Sequence, residues 1–289
     1  MSETLLINYK TKGLESFAGH YKMDSIVASG VNGKTVVLID LDKPLHVNGI
    51  FAIGLIKSNT PLIVLDDKHS GQILSLNSNI DCSGRIWAKD IRAEGTISSA
   101  GMEASFIAAS VLRTFDGGGI YSSGEIVARK EIRADGEVSA DGCIDVGEGG
   151  IRATKVFSQK GIRSVGDIDA SVSIGAVMID CGGHLKCDGV IFSDIGIRAK
   201  SLFAKGDILV DEGRICSDGK IVCRDLSAQE ILSGITPFPR IGNESDMFGD
   251  TIECRKILGS GKVLMGDLRE SEPDVPIRKQ KKLSHGASP

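Results

Sequence analysis

One short pattern of apolar and polar positions is repeated along the middle of the chain. Segment 84–101, with the sequence GRIWAKDIRAEGTISSAG, returns as segment 124–142, with the sequence GEIVARKEIRADGEVSADG. Both reduce to a unit of a large aliphatic residue, any residue, a small residue and a polar break that is often glycine. Because residues two apart on a strand point to the same side, each unit turns one large and one small side chain inward before it bends. Such units are typical of a β-solenoid, in which every rung buries its apolar face on the next one.

The unit recurs from about residue 80 to residue 235, mostly at intervals of six residues, and steps of five and seven indicate corners of variable length. Three units per turn predict an all-β, single-stranded, triangular β-solenoid with about eighteen residues in each turn. Segment 101–119 is less regular, and we expect a loop or a wide turn at residues 104–109. The large inward positions predicted as the structural core include Ile86, Ile91, Ile97, Ile126, Ile132, Val138, Ile144, Ile162, Ile168, Ile197, Ile208 and Ile221.

The chain does not keep this interval before residue 75. It contains apolar runs there, such as 36–40 and 61–65, and the dipeptides Asn32-Gly33 and Asn48-Gly49 are strong local signals for hairpin turns. We expect longer strands that cap the first turn, because an open solenoid end would expose apolar side chains and unpaired strand edges.

The chain changes character again after residue 235. A segment with two prolines ends the repeat, two strand-like pieces follow, and the last residues are polar and basic. The predicted organisation is a β-rich N-terminal capping region (1–75), a solenoid repeat domain (76–235), C-terminal strands that form a small cap (236–270) and a disordered basic tail (271–289).

The composition agrees with a solenoid that has a narrow bore, and the charge argues against some classes of partner. Aromatic residues make up only 4% of the chain, as expected for a bore filled with Ile, Val, Leu and Ala. The net charge of −4 gives no general attraction to nucleic acid or to an anionic membrane. No apolar stretch is long enough for a transmembrane segment, and the N-terminus lacks the pattern of a signal peptide, so the expected location is cytoplasmic.

Five of the seven cysteines are interpreted as small core residues, and a disulfide framework is not expected. Their number is odd and their spacing irregular. Five of them follow an aliphatic residue by two positions, which is the place that alanine takes in other rungs: Cys82, Cys181, Cys187, Cys223 and Cys254.

Two local patterns suggest chemistry, and each also has a structural explanation. Segment 28–35 (ASGVNGKT) resembles a relaxed phosphate-binding loop, but a strand-like run follows where that loop needs a helix. Cys181, His184 and Cys187 are close enough in sequence to suggest zinc, yet a fourth ligand is not nearby. We therefore predict no metal, no cofactor and no catalytic residue, and keep His184 as an alternative site only.

The outward positions of several rungs carry arginine. Arg92, Arg133, Arg152, Arg163 and Arg198 each follow an isoleucine, and stacked rungs would place them in a partial basic ladder beside acids such as Glu94 and Asp135. A solvated surface of mixed charge explains the same residues.

The rungs from Gly124 to Val146 resemble those of the bactofilins, which are polymer-forming β-helix proteins of bacteria. The resemblance covers about residues 80–235, although this repeat is longer than a bactofilin core. It implies end-to-end polymerisation without nucleotide and a scaffolding role.

The sequence therefore predicts a non-enzymatic structural or scaffolding protein that acts through self-association or through a flat protein-binding face. The expected partner is a second copy or another protein. Two alternatives stay open. One is a trimeric hexapeptide-type acyltransferase with His184 as general base, and the other is a phage- or effector-type protein that blocks a host target.

Overall fold

The computed structural model describes residues 3–28, 35–64, 71–233, 252–258 and 262–264. These residues form 25 β-strands and no helix. The strands of the first part are β1 (Glu3–Ile7), β2 (Glu15–Ser16), β3 (Tyr21–Ala28), β4 (Thr35–Ile39), β5 (Leu45–Ala52), β6 (Leu55–Ser58), β7 (Leu62–Val64), β8 (Gln72–Ser75), β9 (Ile80–Cys82), β10 (Arg85–Ala88), β11 (Asp90–Ala93) and β12 (Thr96–Ser99). The remaining strands are β13 (Gly101–Thr114), β14 (Ile120–Arg133), β15 (Glu137–Ala140), β16 (Ile144–Val146), β17 (Gly150–Ser164), β18 (Ile168–Cys187), β19 (Val190–Ala204), β20 (Ile208–Val210), β21 (Arg214–Ser217), β22 (Ile221–Ser227), β23 (Glu230–Ser233), β24 (Ile252–Leu258) and β25 (Lys262–Leu264).

The strands stack in parallel as a β-solenoid, which confirms the predicted fold class. Each segment pairs with the segment one turn later, and the stacked segments form three faces. We name them by the residues of one turn: face A contains Val138, face B contains Ile144 and face C contains Ile151. The longest strands bend around corners and contribute to two or three faces, as β13 does when it pairs with β10, β11 and β12.

The core consists of columns of aliphatic side chains that run along the bore. Isoleucine fills the large inward position of face B through twelve levels, and each of these side chains is at most 2% exposed: Ile26, Ile50, Ile73, Ile91, Ile107, Ile126, Ile144, Ile162, Ile179, Ile197, Ile215 and Ile231. A β-branched side chain suits a pleated strand and packs on its equal in the neighbouring turn. All twelve positions expected in the core from sequence are at most 2% exposed as well.

The strand columns run without interruption through residue 75, where the sequence predicted the end of a capping region. β5 pairs with β8, β6 with β9 and β7 with β10, all in parallel. The N-terminal strands are therefore turns of the same solenoid, and among the described residues before β3 the segment 8–20 lies outside the columns. Within that segment β2 pairs antiparallel with β3, the one antiparallel pairing among the described strands, and Leu14 packs against the core. The C-terminal strands β24 and β25 likewise continue the columns by pairing with β22 and β23.

Two local expectations were wrong. Asn48-Gly49 does not form a hairpin, because both residues lie inside β5, where the chain passes from face A to face B. Segment 101–119 is mostly regular: β13 covers its first fourteen residues and places Met102, Ile107 and Leu112 in the three columns. The spacing of its aliphatic residues is irregular because the corners differ in length, but the inward residues stay aligned with those of the previous turn.

Candidate functional site

Part of one outward column on face B alternates between acidic and basic residues. Asp145, Arg163, Asp180 and Arg198 occupy successive turns of one outward column, so that acid and base alternate. Charges of opposite sign directly opposite each other on a sheet stabilise the pairing, whereas like charges destabilise it. This column is therefore explained by the stability of the solenoid.

The predicted basic ladder forms only in part. Arg133 and Arg152 are neighbours on face C, and Arg113 precedes them in the same column. Glu131 lies beside this column and receives hydrogen bonds from Arg113, at 2.8 Å, and from Arg133, at 3.0 Å. The bond from Arg113 lowers the pKa of Glu131 most, and Arg133 lowers it further. Arg92, Arg163 and Arg198 lie on face B, apart from this group.

Face A carries a different chemistry, which the sequence reasoning missed. In one outward column, an aromatic side chain occupies every second turn: Trp87, Tyr121, Phe157 and Phe192. We call these four residues the aromatic column. The intervening turns carry Glu103, Ser139 and Gly175, and Leu209 follows Phe192. Because neighbouring strands are about 4.8 Å apart, the Cα atoms of successive aromatic residues are separated by about 9.6 Å.

The first two rings of the aromatic column border a shallow groove of about 370 Å³. The Trp87 indole N–H donates a hydrogen bond of 3.2 Å to a carboxylate oxygen of Glu103, one turn away. Tyr121 is 44% exposed, and the groove is completed by Asp141 and by the serines Ser105, Ser122, Ser123 and Ser139. Two aromatic surfaces and a set of hydrogen-bonding groups thus line the same depression.

The last two rings form a second surface on the same face. The centroids of Phe157 and Phe192 are 6.1 Å apart, less than the separation of alternate turns, and the rings are tilted by 37°. A Cβ atom added to Gly175 would lie 2.0 Å from the Phe192 ring. The ring therefore lies across the backbone of Gly175 towards Phe157, and the missing side chain of Gly175 makes room for it.

The N-terminal end of the solenoid exposes a strand edge. Among the described residues, β1 pairs only with β4, so its other edge has no strand beside it. Leu5 and Leu6 on this strand are 37% and 45% exposed, although Leu5 stacks on Val37, which is completely buried. Exposed apolar strand edges are sites at which other strands add, and most proteins protect them.

The structure separates the residues suspected of metal binding. Cys181 and Cys187 are buried, and their thiols donate hydrogen bonds to the backbone oxygens of Gly166 and Val190. His184 is exposed, and its Nδ1 atom lies 2.5 Å from the Ser201 hydroxyl oxygen. No group of three or more His, Cys, Asp or Glu residues arranged to hold a metal occurs in the part of the chain that the structure describes. His184 also lines neither the groove at Trp87 nor a second groove between Asn8 and Asn59.

The five cysteines expected at small inward positions are buried or partly buried. Cys82, Cys181, Cys187 and Cys223 are buried, and Cys254 is partly buried and packs against the core. Burial raises the pKa of both Cys82 and Cys181 from 9.0 to about 11. Cys223 and Cys254 face each other in neighbouring turns, and the Cys254 thiol together with burial raises the pKa of Cys223. The thiols of Cys82, Cys181 and Cys223, whose pKa is raised, are poor nucleophiles, since the reactive form is the thiolate.

The segment that resembles a phosphate-binding loop lies largely outside the described residues, which end at Ala28 and resume at Thr35. Thr35 begins strand β4, so a strand follows this segment and not the helix that phosphate binding requires. The predicted basic tail, residues 271–289, also lies outside the described residues.

Comparison with known proteins gives no match: no family model, no curated protein and no solved structure matches this chain. Within the described ranges there is also no helix that is long and apolar enough to cross a membrane.

Proposed function

We propose that the protein is a non-enzymatic scaffold that associates with further copies of itself through the N-terminal end of the solenoid. The observation that carries this proposal is the free edge of β1, which combines unpaired backbone groups with the exposed leucines Leu5 and Leu6. Pairing of two such edges satisfies the backbone groups and removes both leucines from water.

The geometry of the end determines what kind of assembly forms. A contact between two N-terminal ends is isologous, so it closes as a two-fold dimer in which the β1 strands run antiparallel. Longer filaments, which the resemblance to bactofilins implies, require the C-terminal end to join another copy as well. The continuous core supports a scaffolding role, because the columns of stacked residues extend from β1 to β25.

The two alternative functions rest on the sequence alone. The acyltransferase hypothesis needs His184 in a groove between subunits, whereas its imidazole is exposed and hydrogen-bonded to Ser201 of the next turn. A blocking protein would use one of the flat faces, and the partner would then be another protein. The cytoplasmic location stays a prediction.

The test is the molar mass of the purified protein by light scattering over a range of concentrations. We expect the mass to rise with concentration and to fall to that of a monomer in Leu6→Lys, because a lysine on the edge opposes strand addition. Leu6 points outward, so this change leaves the core intact.

Val172→Lys is the matched control. Val172 is 49% exposed, but it lies on β18, whose neighbours β17 and β19 pair with it on both sides. Its variant should associate like the wild type. A wild-type protein that is monomeric at every concentration, or association that persists in Leu6→Lys, contradicts the proposal.

A further inference from the structure

We propose that the aromatic column on face A binds a neutral, extended polysaccharide built of β-linked pyranose rings. This inference goes beyond the scaffold function and does not depend on it. It rests on the arrangement of Trp87, Tyr121, Phe157 and Phe192 and on the polar groups between them.

The positions of the four aromatic residues along the column fit a regular linear ligand. The four residues recur at every second turn, and the residues between the first three rings are polar: Glu103 and Ser139. In an extended β-linked glycan, successive sugar rings are turned over, so that the same sugar face returns at every second residue. That repeat has nearly the length of two solenoid turns, about 9.6 Å. A straight chain lying along the column therefore presents the same sugar face at the interval of the aromatic Cα atoms, and the Phe157 and Phe192 rings, with centroids 6.1 Å apart, together offer it one apolar surface.

The chemistry of the column matches the two kinds of surface on a sugar. The C–H faces of a pyranose ring pack on aromatic rings, and its hydroxyl groups need hydrogen-bonding partners. The groove beside Trp87 and Tyr121 supplies such partners from the carboxylates of Glu103 and Asp141 and from serine hydroxyls. Carboxylates accept strong hydrogen bonds from hydroxyl groups.

The ring of Phe192 is already held in a suitable position. It lies across Gly175, where any Cβ atom would collide with it, and one of its faces is turned towards the sheet. Phe192 nevertheless remains 36% exposed. Together with Phe157, whose ring is tilted by 37° relative to it, Phe192 forms an apolar surface at the far end of the column, two to four turns beyond Tyr121.

The residues of the aromatic column disfavour two other occupants. From Trp87 to Leu209 the column contains no lysine and no arginine, so it has no group to neutralise the phosphates of a nucleic acid. A second copy packed on this face would bury the Glu103 carboxylate without a cation from the same column, which costs free energy. A neutral ligand rich in hydroxyl groups avoids both costs.

The experiment is titration calorimetry of the full-length protein with cellohexaose and with chitohexaose, and maltohexaose serves as the α-linked control. We expect saturable binding of at least one β-linked hexasaccharide, weaker binding of its trisaccharide, and no binding of maltohexaose at the same concentrations. The decisive comparison is Phe192→Ala against Phe203→Ala. Both residues are exposed to a similar extent, 36% and 38%, but Phe203 lies on face C.

Phe192→Ala should weaken binding about tenfold, the effect of losing one stacking partner, and Phe203→Ala should leave it within about twofold of the wild type. Gly175→Ala adds a test that removes no aromatic ring: its methyl group must push the Phe192 ring aside, and binding should weaken as well.

Failure of both β-linked hexasaccharides to bind overturns the proposal, as does an equal loss of affinity in Phe203→Ala. Light scattering on the same variants identifies the competing occupant. If Phe192→Ala lowers the molar mass of the protein and no sugar binds, the face is a contact between copies and the polysaccharide proposal is wrong.

Discussion

The N-terminal turns and the central turns of this solenoid share one core but differ in the length of their connections. On face B, Ile126, Ile144 and Ile162 are separated by 18 residues each, whereas Ile26 and Ile50 are separated by 24 and Ile50 and Ile73 by 23. The inward side chains are isoleucine in both regions, and all five are at most 2% exposed. A solenoid is therefore defined by the register of its columns, and additional residues at a corner change the sequence interval without changing the core.

The largest expected effect tests whether the two regions are equivalent. Ile50→Ala and Ile144→Ala each remove the same atoms from the same column, so each should lower the free energy of unfolding by about 2–5 kcal/mol. The measurement is chemical denaturation monitored by circular dichroism. If Ile50 belonged to a separate cap, its variant would show an additional early transition while the remaining strands kept the wild-type midpoint.

The next effect concerns alkaline pH. The pKa of Cys82 and Cys181 is about 11 in the folded protein and 9.0 when exposed, so folding favours the neutral thiol. This contribution is fully present below pH 9 and is lost as the pH rises towards 11, by about 2–3 kcal/mol for each thiol. Denaturation at pH 8 and at pH 10.5 measures the loss.

The variants Cys82→Ala and Cys181→Ala are suitable controls, because alanine fills the equivalent position in other turns, for example at Ala88 and Ala93. Each should reduce the difference in stability between the two pH values. An unchanged difference would show that these thiols are not the groups responsible.

A smaller difference in stability is expected between alanine variants of two buried serines in the central turns. The Ser158 hydroxyl oxygen lies 2.7 Å from the backbone oxygen of Gly142 and 3.1 Å from that of Gly161, and it donates to one of them at a time. The Ser164 hydroxyl is buried without a hydrogen-bonding partner. Ser158→Ala should lower the free energy of unfolding by about 1 kcal/mol, whereas Ser164→Ala should be neutral or stabilising. Equal losses in the two thermal denaturation curves would contradict this explanation.

The smallest effect is local and belongs to the N-terminal end. The His46 ring packs against His20, with centroids 4.1 Å apart and the rings tilted by 32°, and His20 stacks on Phe17 of the segment 8–20. Burial lowers the pKa of His46, and the nearby His20 and Lys22 lower it further. A histidine with a lowered pKa stabilises the fold above its ordinary value of 6.5, and this stabilisation is lost as the pH falls.

Proteolysis of segment 8–20 should therefore be faster at pH 5 than at pH 7.5. In His46→Phe, which keeps an aromatic ring without a titrating group, the pH dependence should diminish. If proteolysis proceeds at the same rate at both pH values in the wild type, the histidine stack does not hold this segment.

Much of the fold could be predicted from the sequence, because the core is local in its pattern. The rule of one large and one small inward residue identifies Ile126, Ile132 and Val138 without knowledge of their neighbours in space. The same rule did not identify the N-terminal turns, because successive turns on face B are 23 and 24 residues apart there and do not show the six-residue interval. The hairpin predicted at Asn48-Gly49 was wrong because a corner of a solenoid and a hairpin turn both favour residues that allow a sharp bend.

The aromatic column was not predicted, although the sequence contains a signal for it. Trp87, Tyr121, Phe157 and Phe192 are separated by 34, 36 and 35 residues, which is close to twice the turn of eighteen. Outward residues do not determine the fold, so their alignment becomes visible only when the register of every corner is known. The free edge of β1 could not be recognised either, because its exposure depends on the position of the strand at the end of the stack.

The most direct test of the scaffold proposal is amide hydrogen exchange in strand β1, measured at several protein concentrations. In a single copy, the amides of β1 that point away from β4 are open to water and exchange rapidly. Association through this edge predicts that their protection increases with concentration, while exchange in the central strand β17 stays constant. Exchange from β1 that is equally rapid at all concentrations would show that the edge remains free, and would contradict assembly through the N-terminal end.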